Sequence, residues 1–142
     1  MGAPYYGAYA ATAALAGGSY ISALDNGSTA YAGYVVYDAD KTPIKALLYN
    51  SDYYDGSGTR GSQVFSLEGL AVGAGTLKAK RLTAPSADSR IDEGGNPTWG
   101  GQTFANATCI INGTEVFESV VVVGSEALVT VNASEAVLVY LV

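Results

Sequence analysis

Glu115-Val-Phe-Glu-Ser-Val-Val-Val-Val-Gly-Ser-Glu-Ala-Leu-Val-Thr-Val-Asn-Ala-Ser-Glu-Ala-Val-Leu-Val-Tyr-Leu-Val142 is the stretch that decides the fold. Read in steps of two, it holds three strands, Glu115 to Val123, Glu126 to Asn132 and Glu135 to Leu141, rich in the β-branched and aromatic residues that fill a pleated surface. Gly124-Ser125 separates the first two as a hairpin turn. Val120 to Val123 and Val137 to Leu141 are apolar on both faces, which predicts strands that are central or covered by a second body.

Working upstream, the same period marks Tyr31 to Asp38, Pro43 to Asn50, Ser62 to Glu68 and Thr76 to Leu82. Asp38-Ala-Asp-Lys41 is a turn signal, and Gly69 to Gly75 is a loop punctuated by glycine. In Thr76-Leu-Lys-Ala-Lys80 the lysines alternate with Leu77 and Ala79, the pattern of a strand with one wet face. Strands in such number with short connections predict an antiparallel β-sandwich over residues 31–142. Residues 83–107 carry Pro85, Pro97 and little periodicity, so they read as a long irregular excursion of the kind that is functional or packed on a neighbour. Residues 1–30 form an N-terminal helix and linker. The helix runs from Pro4 to Gly17, with proline in its first turn and Gly17-Gly18 at its end. Tyr5, Tyr9, Thr12 and Ala16 share one face, and Ala8, Ala11 and Leu15 broaden the apolar surface, so such a helix calls for burial on several sides. The fold class is all-β, an antiparallel sandwich preceded by one α-helix.

Composition narrows the chemistry. Of 142 residues 49% are apolar, too many for a disordered chain, and none is histidine. Ser-His-Asp and Cys-His sites and imidazole zinc sites are thereby excluded. A net charge of −6 opposes nucleic acid and anionic membrane surfaces as partners. No apolar run approaches the ~20 residues of a membrane-spanning helix.

Four asparagines sit in the glycosylation acceptor pattern: Asn26-Gly-Ser, Asn106-Ala-Thr, Asn112-Gly-Thr and Asn132-Ala-Ser. Asn96-Pro-Thr is disqualified by its proline. The four predict a secreted, extracellular glycoprotein. Ala14-Leu-Ala-Gly17 resembles a signal-peptidase site, but the segment has no basic start and Pro4, Tyr5, Tyr6 and Tyr9 interrupt it, so any export signal is expected upstream. Cys109 is single, hence either buried as a small hydrophobe or paired outside this sequence.

Other motifs favour bland readings. Gly56-Ser-Gly-Thr-Arg-Gly61 has dinucleotide-loop spacing but runs into a strand rather than a helix, so a hairpin turn is expected. Asn50, Asp52 and Asp55 offer oxygen ligands without calcium-loop spacing, and read as solvated turn carboxylates. Asp88, Asp92 and Glu93 could pair as glycosidic carboxylates, yet they fall on the irregular excursion, where solvation is the default. No catalytic, cofactor-binding or metal-ligating residue is predicted. Trp99, flanked by Gly100-Gly101, is a candidate platform for a sugar ring or a plug for the edge of the core. Tyr34, Tyr49 and Tyr140 lie inside strands and are expected as core or cross-strand partners.

Ala46-Leu-Leu-Tyr-Asn-Ser-Asp-Tyr-Tyr54, Lys80-Arg-Leu-Thr-Ala-Pro-Ser-Ala87, Thr98-Trp-Gly-Gly-Gln102 and Ala133-Ser-Glu-Ala-Val137 resemble the C-terminal domain of fungal family-79 glycoside hydrolases, which include β-glucuronidases and are related to heparanase. Residues 4–38 are similar, more loosely, to the last barrel helix and the entry into the sandwich. The resemblance implies a sandwich beside a catalytic (β/α)₈ barrel that holds both catalytic glutamates, and no position here matches them. It also implies a sandwich strand supplied by the enzyme's N-terminal segment, hence an open edge or a vacant strand position in this chain. Two functions are therefore expected: a non-catalytic accessory domain stabilising a barrel of the same or a companion chain, or a free-standing extracellular module that binds carbohydrate or assembles into oligomers or fibres through the open edge.

Overall fold

The computed structural model describes residues 3–25, 27, 29–105 and 107–142. Helix α1 (Ala3–Leu15) takes Pro4 into its first turn and is built largely of alanine, the strongest helix former. Gly17 adopts a left-handed φ of 76°, and the Gly18 N–H donates to the Leu15 carbonyl at 2.9 Å, which ends the helix.

The strands that follow are β1 (Tyr20–Ala23), β2 (Tyr31–Tyr37), β3 (Pro43–Asn50), β4 (Ser62–Leu67), β5 (Ala74–Thr83), β6 (Thr98–Trp99), β7 (Thr103–Phe104), β8 (Ile111–Asn112), β9 (Glu118–Val123), β10 (Glu126–Asn132) and β11 (Glu135–Tyr140). A short 3₁₀ turn, Ile91–Glu93, precedes β6. Nine strands make one sheet in the order β1-β2-β3-β11-β5-β9-β10-β4, with β6 added on β5, while β7 and β8 form a separate ribbon. Every pairing is antiparallel. Gly124 and Ser125 both take left-handed φ, 59° and 63°, the two-residue turn that matches strand twist.

The sheet curls until β10 returns opposite β3, where the Asn50 Nδ2 donates to the Val131 carbonyl at 3.2 Å. Inside the curl lies the main core, with Ala46, Leu48, Leu77, Ala79, Val120, Val122, Val129, Val131, Val137 and Val139 interdigitating. A second core lies outside the curl, under α1: Tyr6, Ala10 and Ala14 of the helix close on Trp99, Phe104 and Leu138. The predicted all-β antiparallel sandwich with one N-terminal helix is thus realised by a single sheet folded over on itself. β11 is buried on both faces as its pattern required, Val137 and Val139 facing inward and Leu138 facing the helix.

Two local expectations are corrected. Val120 to Val123 are not covered on both faces: Val120 and Val122 enter the core, but Val121 and Val123 are 64% and 71% exposed. The strand is interior to the sheet, since β9 pairs with β5 along its length and with β10 at the hairpin end; the sheet's edges are β1 and β4. The lysine face of β5 is wet only in part, because the segment between β8 and β9 returns over Lys80 and supplies Glu115 as its ion-pair partner.

Candidate docking surface

Helix α1 is fixed to the outer face of the sheet by three devices. Ala10 and Ala14 lack bulk, so the helix approaches Trp99 and Leu138 closely. The Tyr6 hydroxyl accepts a buried hydrogen bond from the Phe104 N–H at 2.9 Å, tying the helix to the β7–β8 ribbon. Lys45, reaching from β3, donates to the carbonyls of Ala13 and Ala16 at 2.7 Å each. A cation there satisfies orphan carbonyls and complements the negative end of the helix dipole. Burial lowers the Lys45 ammonium from its ordinary value. Its charge also lies 5.7 Å from the centre of the Tyr140 ring.

The buried row is therefore Tyr6, Ala10 and Ala14, and not the face of Tyr5, Tyr9, Thr12 and Ala16. Tyr5 and Tyr9 stack on each other at 6.3 Å and both meet the Phe104 ring at 5.1 Å, with their outer surfaces in solvent. With Leu15, and with Tyr20, Ile21 and Leu24 in and beside the edge strand β1, they place six large apolar side chains at 37–57% exposure on one N-terminal segment. Contiguous exposed apolar surface is the kind of feature through which proteins make contacts.

The charged side chains gather elsewhere, at one end of the curl. Glu135 is buried and accepts from Arg81 Nη1 and Thr83 Oγ1, each at 2.6 Å, and from Asn132 Nδ2 at 3.1 Å, with Arg60 Nη1 at 3.2 Å. Arg81 in turn grips Glu118 in a fork, Nε to Oε1 at 2.7 Å and Nη2 to Oε2 at 2.8 Å. Burial would raise the Glu135 carboxyl, but the hydrogen bonds from Thr83 and Arg81 outweigh it and hold the group below its ordinary value. Burial opposes the Arg81 charge as well, and its bonds to Glu118 and Glu135 overcome that and raise it. Every member is satisfied within the chain, so the network closes the end of the core and presents no free acid or base.

The other candidates are dispersed. Asp92 and Glu93 pair with Arg90 on the exposed 3₁₀ turn, Asp88 accepts from the Tyr53 hydroxyl, and Asp52 accepts from the Tyr31 hydroxyl at 2.8 Å. Asp55 caps its own turn through Ser57. Among the described residues, no three histidine, cysteine or acidic side chains are grouped to hold a metal. Gly56 to Gly61 lie in the β3–β4 connection, which leads into a strand. Trp99 is 1% exposed and serves as the plug rather than the platform. Its glycines act on the backbone: at Gly100 and Gly101 a side chain would come within 3.0 Å of the Val116 and Thr114 carbonyl oxygens, and both take positive φ. Tyr34 and Tyr49 stack across β2 and β3, and Tyr140 meets Phe117 edge-on. Cys109 is free and exposed. Asn112 is exposed and Asn132 half-buried, while Asn26 and Asn106 lie outside the described residues. No helix among the described residues is long and apolar enough to cross a membrane.

Residues 33–138 match the family described as the glycosyl hydrolase family 79 C-terminal beta domain. A solved 4-O-α-L-rhamnosyl-β-D-glucuronidase from Fusarium oxysporum 12S, in complex with Rha-GlcA, is similar over 99% of this chain at 54% identity and a TM-score of 0.93. The chain spans 30% of that enzyme's length. A GH51 arabinofuranosidase from Xanthomonas axonopodis pv. citri aligns over 83% of this chain and 20% of its own at 18% identity, with a TM-score of 0.46. No curated protein matches the chain in sequence.

Proposed function

The chain belongs to the glycosyl hydrolase family 79 C-terminal beta domains, and from that premise we propose that it is the non-catalytic accessory domain of a secreted β-glucuronidase-like glycoside hydrolase, stabilising a catalytic (β/α)₈ barrel. The observation that carries this reading is the apolar N-terminal segment. Tyr5, Tyr9, Leu15, Tyr20, Ile21 and Leu24 belong to elements already fastened to the sheet or stand beside them, and their outer surfaces have no cover among the described residues. A barrel docked on α1 and β1 would dry them. Burial of such a side chain from full exposure contributes roughly 1.5–3 kcal/mol, and roughly half of that or less remains to be gained at side chains that are 37–57% exposed. The satisfied state of the Arg81–Glu135 network and the scattering of Asp88, Asp92 and Glu93 support a structural role over catalysis.

The division at residue 30 is a proposal about ancestry. Residues 1–30 would derive from the barrel's last helix, although β1 within them pairs with β2 as part of the sheet.

A free-standing module is the second reading, favoured by the unpaired outer edges of β1 and β4, which are templates for another strand from a second copy. Two measurements separate the readings. The intact mass of the polypeptide in its source is expected to exceed that of the 14.5 kDa chain by a barrel's worth. The purified chain, assayed on an aryl glucuronide, is expected to show no turnover. A source polypeptide of the chain's own mass would favour the free-standing module, and turnover abolished by Asp92→Asn or Glu93→Gln would overturn the non-catalytic assignment.

A further inference from the structure

Two glycosylation acceptor motifs lie within the described residues, and the fold treats them in opposite ways. Asn112-Gly113-Thr114 lies in a continuous exposed run, residues 107–117, at the end of β8. In the β7–β8 ribbon, Phe104 pairs with Ile111 and Thr103 with Asn112. Alternation along a strand sends neighbouring side chains to opposite faces. Phe104 is buried against Tyr6 of α1, so Thr103 and Asn112 face away from the helix and toward solvent. Gly113 takes a φ of 91°, which turns the chain out of the strand directly after the acceptor. No hydrogen bond within the chain engages the Asn112 amide among the described residues.

Asn132-Ala133-Ser134 is the tight connection between β10 and β11. The Asn132 amide nitrogen, the atom a glycan would occupy, donates to buried Glu135 at 3.1 Å. Ala133 is buried. The Ser134 hydroxyl donates to the Asp52 carbonyl at 2.8 Å and accepts from the Tyr54 N–H at 3.2 Å. All three motif residues are thus committed to the fold, so a chain carrying a glycan on Asn132 would have to give up these contacts to fold and would be depleted from the folded fraction.

We infer that Asn112 is an N-glycan site of the folded domain and that Asn132 is not. The glycan stands on the face of the β7–β8 ribbon turned away from α1, which leaves the exposed aromatic surface of Tyr5 and Tyr9 open to a protein partner. The inference rests on the proposed secretory origin only for its occurrence in nature, because acceptor geometry can be tested in any eukaryotic secretory host.

The full chain, secreted from such a host behind an added signal sequence, is gel-filtered and treated with peptide N-glycosidase in ¹⁸O water, then mapped by mass spectrometry. The soluble folded fraction is expected to carry the ¹⁸O-aspartate label at residue 112 in most molecules and at residue 132 in almost none. Asn112→Gln and Thr114→Ala are each expected to remove that label with secretion retained. Unlabelled residue 112, or residue 132 labelled in a large share of folded molecules, would overturn the assignment. Glycan mapping of source material then tests the secretory origin separately, since a bare native Asn112 beside an occupied recombinant one refutes only the latter.

Discussion

Glu135 is the side chain on which the end of the main core depends, because it answers two guanidinium groups while nearly excluded from water. Removing one partner of a buried pair leaves the other uncompensated, and the penalty is about 3–5 kcal/mol. Glu135→Gln is therefore expected to lower stability by about 3 kcal/mol, read as a loss in urea midpoint at unchanged slope. The same group sets an acid limit. Its folded-state affinity for protons is depressed, so its contribution is fully present above the ordinary glutamate value and is lost as pH falls through the lower folded-state value. Unmodified protein should lose stability steeply below about pH 4.3, and Glu135→Gln should flatten that slope; equal slopes in both would remove the network from the explanation. At the other face, Tyr6→Phe deletes one oxygen and strands the Phe104 N–H, at an expected cost of about 1–3 kcal/mol, or about 2–4 °C of Tm for each kcal/mol.

At the scale of elements, α1 is held as a unit by Tyr6 at one end and Lys45 at the other. Lys45→Met keeps the aliphatic stem and deletes both bonds to the helix carbonyls. The expected result is a loss of about 1–2 kcal/mol together with faster proteolysis confined to residues 3–18. Proteolysis unchanged there would mean that packing alone seats the helix. The strands with strong two-residue periodicity were legible because one face of each meets the core, as Ala127, Val129 and Val131 of β10 do. β1 was not legible, since all four of its residues are exposed and carry no alternation to read. β6 and β7 were hidden for a different reason. Two residues are too few to show a period, and Trp99 and Phe104 are fixed by contacts with α1, far away in sequence. The glycines beside Trp99 suggested a freely presented ring, yet they serve the close approach of residues 114–116, a tertiary requirement with no local signature. Lys80 is a similar case: its alternation is that of a wet strand, and only the return of the chain at Glu115 and Phe117 removes it from water.

For the whole molecule, the two layers of burial assign the N-terminal segment a double part. Its inner row completes the second core, while its outer row remains uncovered. Deleting the segment would therefore not relieve association; it would bare Trp99, Phe104 and Leu138, so a chain starting at Thr29 is expected to be less soluble than the full chain. The informative change leaves the inner row alone. Tyr5→Ser, Tyr9→Ser and Ile21→Thr combined strip the outer surface without touching Tyr6, Ala10, Ala14 or the Lys45 bonds. With each of these side chains worth roughly 1.5–3 kcal/mol on full burial, even partial contact across several favours association of the isolated domain at high concentration. Light scattering over a concentration series should show the weight-average mass of the unmodified chain rising with concentration and that of the triple variant staying near the monomer. If the variant associates as strongly as the unmodified chain, the contact lies on the free edge of β4 or on the exposed Val121, Val123 and Leu128 face, and the segment is not the docking surface. If the unmodified chain remains monomeric throughout, apolar exposure on α1 and β1 is too small to drive contact, and the argument for a barrel seated there loses its main support.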